Sequence, residues 1–171
     1  MGNESPGQRA EDLPERELLQ IYLQDHLSGA TGLLQRLTMM RDHDDDLPVA
    51  AEIAQLEQEV REDRQTLVDV IRTLGLRPSP AKLLLARAGE MAGRLKLNGR
   101  VRRRSPLTPL LELEVVQAGI SGKSGLWRSL AVHAGALGLD AEEFRALEER
   151  ALRQLDDVVA AHRRLTRGAF G

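Results

Sequence analysis

The chain of 171 residues is long enough for one domain with a substantial core, and its net charge of −2 gives no reason to expect nucleic-acid binding. It is rich in Leu and Ala, has only 2% aromatic residues and has no cysteine, which excludes disulfides, cysteine-ligated metal centres and thiol catalysis. Because strands favour β-branched and aromatic side chains, this composition predicts an all-α fold.

The N-terminal segment, residues 1–13, is polar and is predicted to be a disordered tail. It has no apolar stretch typical of a signal peptide, and no apolar run in the chain is long enough to span a membrane, so we expect a cytoplasmic protein. A first helix is predicted from Pro14 to about Met40, because apolar residues recur there at alternating steps of three and four. The acidic run from Asp42 to Asp46 ends it, and its spacing favours a solvated turn over a calcium loop.

A second helix is predicted over residues 48–74, and Gly75 is a suitable stop signal. The next segment, residues 76–109, contains four prolines and a short helix-like stretch near residues 81–97. We interpret this segment as a long crossover connection that contains an extra helix.

A third helix is predicted from residue 108 or 109 to residue 137, followed by Gly138. Asp140 is a good N-cap for a fourth helix over residues 141–167. Short loops make neighbouring helices antiparallel, whereas a long connection lets the second and third helices run parallel. We therefore predict a single domain over residues 14–168, an up-down four-helix bundle with one long crossover.

Polar residues interrupt the apolar seams of these helices, and burying them costs free energy unless they are paired. His26 and Asp63 lie at similar heights in an antiparallel hairpin, with Glu59 one turn from Asp63. Glu114 and His162 interrupt the third and fourth seams. The His26–Asp63 pair is interpreted as a buried hydrogen-bonded contact that fixes helix register. The alternatives are a metal site and exposure to solvent.

The helix pattern resembles the ferritin-like superfamily, through the segments Tyr22–His26, Glu59–Asp63 and Leu113–Glu114. Its di-iron members place Glu on two helices and Glu-x-x-His on the other two. This chain has no Glu-x-x-His, so the resemblance implies the fold but neither iron storage nor oxidation chemistry. No cofactor is expected; the alternative is Fe or Mn held by the four candidate ligands His26, Glu59, Asp63 and Glu114.

The segment Gly119–Ser124 invites comparison with a phosphate-binding loop, since it contains Gly-Lys-Ser. The motif requires a Gly where this chain has Gln117, and it follows a strand, whereas the context here is helical. We interpret Gly119, Gly122 and Gly125 instead as a smooth helical face that lets another backbone approach.

A basic cluster in the crossover consists of Arg100, Arg102, Arg103 and Arg104. It is a candidate site for an anion, an acidic partner or RNA. Without interleaved aromatic residues, a solvated loop is the favoured interpretation.

The expected function is that of a non-catalytic bundle acting through self-association or protein partners, with a polar, hydrogen-bonded core in place of a di-iron centre. The alternative is a metal-binding protein or oxidoreductase with a carboxylate and histidine site in the bundle core. No membrane partner is expected.

Overall fold

The computed structural model describes residues 14–43, 47–76 and 107–169. In these ranges it contains four helices and no strand: α1 (Arg16–His43), α2 (Ala50–Thr73), α3 (Thr108–Leu137) and α4 (Ala141–Ala169). The predicted all-α bundle is confirmed, with helix bounds within a few residues of those expected. The predicted N-terminal tail, the crossover helix near residues 81–97 and the four clustered arginines lie outside the described residues.

The helix ends follow the local signals in the sequence. Gly75 and Gly138 adopt left-handed conformations, with φ of 64° and 69°, directly after α2 and α3. A side chain is strained in this region, so glycine suits both positions. The Glu142 backbone N–H donates to Asp140 Oδ1 at 2.9 Å, which caps the start of α4.

Neighbouring helices in the bundle are antiparallel. α1 packs on α2 and α3, and α4 packs on α3 and α2, so α2 and α3 lie across a diagonal. Tyr22 bonds to Ser129, and Leu33 lies against Gly119, which sets α1 and α3 in opposite directions. α2 and α3 therefore run parallel, and the end of α2 and the start of α3 lie at opposite ends of the bundle.

One continuous apolar core occupies the space between the helices. The Trp127 and Phe144 rings stack across the α3–α4 contact, with centroids 6.1 Å apart and planes 10° from parallel. The largest fully buried side chains come from all four helices: Leu23, Leu37, Met40, Ile53, Leu67, Ile71, Leu113, Ile120, Leu126, Trp127, Leu130 and Phe144. No helix in the described ranges combines the length and apolarity needed to cross a membrane.

The glycines of α3 make only one close helix approach. A Cβ built on Gly119 would lie 3.2 Å from Leu33 Cδ1, so α1 sits tightly there. At Gly122 and Gly125 an added Cβ would meet nothing within 4 Å. The expected smooth face thus serves packing at Gly119 alone. A glycine inside a helix costs about 0.5–1 kcal/mol relative to alanine, and close helix packing does not account for glycine at position 122.

Candidate functional site

A network of charged side chains crosses the bundle core and is centred on Asp63 of α2. Asp63 is only 2% exposed, and its two carboxylate oxygens accept hydrogen bonds from Lys123 Nζ of α3 and Arg150 Nη2 of α4. Lys123 is 8% exposed, whereas Arg150 is half-buried and also reaches Glu62 at 3.3 Å. One buried carboxylate is therefore shared by two cations from the opposite hairpin.

Amide side chains extend this network toward α2. Lys123 Nζ also donates to Gln154 Oε1, and Gln154 Nε2 donates to Glu59 Oε2 at 2.7 Å. Gln55 Nε2 holds the other Glu59 oxygen at 3.0 Å. The carboxylates of Asp63 and Glu59 balance the charges of Lys123 and Arg150, while the buried Arg150 Nε has no hydrogen-bond partner within the described residues.

The surroundings of the network shift the pKa values of two of its members. Burial lowers the pKa of the Lys123 ammonium, and the Asp63 carboxylate opposes that shift. Burial raises the pKa of Glu59, but hydrogen bonds from Gln55 and Gln154 and the positive charges of Arg150 and Lys123 together lower it overall. The Glu59 carboxylate is thus held in its charged form as an acceptor.

A cavity of about 320 Å³ lies beside the network, between α1, α2 and α3. Asp63 and Lys123 form part of its wall, and the rest is mostly apolar. Gly29 and Gly122 border it, and an added Cβ at either position would meet nothing within 4 Å. The space therefore exists in part because these two helix positions carry no side chain.

Trp127 also lines this cavity, and its side chain is almost completely buried. Its indole Nε1 is buried and has no hydrogen-bond partner within the described part of the chain. Buried polar groups are nearly always paired, so this unpartnered donor is unusual.

His26 lies on the wall of the same cavity but makes no hydrogen bond to Asp63 among those of the described residues. Its ring instead meets the Tyr22 ring edge-on, with centroids 4.5 Å apart. The expected His26–Asp63 hydrogen bond is therefore not formed. Lys123 and Arg150 take both carboxylate oxygens, because each brings a full positive charge to the buried anion.

The four candidate metal ligands lie at three separate places. His26 and Asp63 line the large cavity, whereas Glu59 lines a smaller one of about 140 Å³ between α2 and α4. Glu114 is exposed and pairs with His162 Nε2 at 3.2 Å. No group of three or more His, Asp or Glu side chains within the described ranges is placed to hold one ion. A carboxylate that is already paired with two cations does not fit a metal site. The Fe or Mn hypothesis stays a prediction.

Sequence reasoning missed the residues that pair with Asp63. Lys123 belongs to the Gly-Lys-Ser segment that we set aside as a chance match, and that motif is indeed embedded in a helix. Gln154 follows Ala151 by three residues, which places it in the apolar seam of α4, and it is 2% exposed.

A second buried acid, Glu57, is bonded to Thr38 at 2.9 Å and to two arginines.

Lowering the pH is expected to destabilise the protein through His26. Burial lowers its pKa below the ordinary value of 6.5, and Asp25 opposes that shift. The unfolded chain then binds the proton at higher pH than the folded protein, so stability falls as the pH drops through 6.5 toward the folded pKa. Thermal unfolding measured across this range should show a smaller loss for His26→Phe than for the unmodified chain. Equal losses in both proteins would contradict the assignment.

The fold and the site together define a helical bundle whose core carries a balanced charge network with a mostly apolar cavity beside it. None of the family models, curated proteins or solved structures with which the chain was compared matches it. The inference of function therefore rests on the chain's own side chains.

Proposed function

We propose that this chain is a non-catalytic helical bundle that acts through association, first of all with a second copy of itself. The observation that carries the proposal is the hydrogen-bonded network around Asp63. Asp63 and Lys123 bind each other, and Gln154 connects Lys123 to Glu59, so the hydrogen bonds of these groups go mainly to other members of the network rather than to a substrate. The network therefore acts as a structural polar core. We also propose that the protein is cytoplasmic.

The seam between α1 and α3 is the surface that best suits association. Leu18, which is 60% exposed, and Tyr22 line a groove of about 340 Å³ at one end of this seam. Val115, also exposed, lines a groove of about 240 Å³ toward the other end. Exposed apolar side chains grouped along grooves are typical of interaction sites, and a two-fold pairing would cover this seam with the same seam of a second copy.

Light scattering over a range of protein concentrations tests this proposal. We expect a dimer that dissociates on dilution. Charged substitutions at both ends of the seam, Leu18→Glu with Val115→Glu, should give a monomer with unchanged helicity, because charges at the core of an interface are left unpaired.

The matched control is Leu152→Glu on α4, where the side chain is 42% exposed and away from the seam. It should leave the dimer intact. An unmodified chain that stays monomeric at every concentration would refute the proposal, as would a dimer that the seam variant leaves unchanged.

A further inference from the structure

The cavity between α1, α2 and α3 has features that neither core packing nor association explains. We propose that it binds a small, neutral, mainly aliphatic molecule carrying one hydrogen-bond acceptor oxygen, such as an ester or a ketone. The cavity shares Tyr22 with one groove of the proposed association seam and Gly29, Leu33 and Gly119 with the other, so it opens on the same side of the bundle. Its volume of about 320 Å³ falls at the lower end of the range for small-molecule sites.

Two residues of the cavity wall, Trp127 and Lys123, carry hydrogen-bond donors with capacity to spare. The buried Trp127 Nε1 has no partner among the described residues. Lys123 has three N–H donors, of which Asp63 and Gln154 take two. A single acceptor oxygen on a bound molecule would therefore satisfy the third Lys123 N–H, which neither Asp63 nor Gln154 accepts.

The charges on the cavity wall favour a neutral molecule over an ion. Asp25 and Asp63 contribute two negative charges, and Arg64 and Lys123 contribute two positive ones. Burial lowers the pKa of His26, which favours its neutral form. With these charges balanced, a bound carboxylate or ammonium would find no net counter-charge to offset its desolvation.

Two exposed glycines, Gly29 and Gly122, lie at the open side of the cavity. Gly29 and Gly122 lie within helices, where alanine would be the more stable choice. An added Cβ at either one would meet no atom within 4 Å, so packing does not require glycine there. A bound aliphatic chain would account for the room that both positions leave.

Fluorescence of Trp127, the only tryptophan of the chain, provides a direct readout from the cavity wall. We expect methyl octanoate to produce a saturable spectral change and to raise the unfolding temperature. Octanoate and octylamine have the same aliphatic body with a negative or positive head. We expect both to bind at least about 10-fold more weakly, a difference of roughly 1.4 kcal/mol.

Cavity filling provides the decisive variant. Gly122→Leu places a side chain in the open space and should abolish the spectral change while the helices stay folded. The matched control is Gly135→Leu, also on α3 with open space around it but outside the cavity wall, and it should bind like the unmodified chain.

Three outcomes would overturn the proposal. The first is the absence of any fluorescence or unfolding-temperature response to methyl octanoate. The second is ester binding that survives Gly122→Leu unchanged, which would place the ester elsewhere. The third is octanoate or octylamine binding as tightly as the ester, which would show that the wall does not select a neutral head.

Discussion

Asp63→Asn is expected to lower the free energy of unfolding by about 3–5 kcal/mol, because removing one partner of a buried ion pair leaves the other charges uncompensated. Arg150 is half-buried and can turn toward water, whereas Lys123 is 8% exposed and cannot. Urea unfolding followed by circular dichroism measures the loss, and the variant keeps the size and shape of the side chain.

Two controls separate the network from charge effects in general. Glu62→Gln removes the neighbouring carboxylate, which is 51% exposed and also contacts Arg150, and it should cost no more than about 1 kcal/mol. The double substitution Asp63→Leu with Lys123→Met replaces the pair by apolar groups and should recover most of the loss. If Asp63→Asn costs no more than Glu62→Gln, the network does not stabilise the fold.

Trp127→Ala is expected to cost about 3–5 kcal/mol as well, because it removes the largest buried side chain and enlarges the existing cavity. The substitution also removes the stacking contact with Phe144, which joins α3 to α4. Chemical unfolding again measures the loss.

The matched control is Trp127→Phe. It retains an aromatic ring against Phe144, and since the indole Nε1 has no partner among the described residues, it breaks no hydrogen bond there. Its cost should be well below that of Trp127→Ala. A similar loss for both variants would mean that the indole N–H has a partner after all.

The fold could be predicted because its signals are local. Gly75, Gly138 and Asp140 mark helix ends through their own backbone preferences, which require no knowledge of distant residues. The apolar steps of three and four residues gave the four helices, and the two short turns gave the antiparallel pairs. The parallel relation of α2 and α3 followed from the length of chain between them.

The site could be predicted only in part, because its pairing depends on contacts between distant helices. Asp63 was recognised as a polar residue inside a seam, and it is the centre of the network. Its partner was expected to be His26, at the same height on the adjacent helix. The bond goes instead to Lys123, 60 residues away, whose long side chain reaches the core from a glycine-rich segment. Periodicity places a side chain on a face but does not reveal how far it extends.

The position of the network has a consequence for the way the chain folds. Asp63 belongs to the α1–α2 hairpin, whereas Lys123 and Arg150 belong to the α3–α4 hairpin. Each hairpin alone would carry charge in its apolar face that only the other hairpin neutralises. Forms in which the two hairpins are undocked, or docked one turn out of register, therefore have a higher free energy than both the native and the unfolded chain. This difference favours all-or-none folding of the two halves.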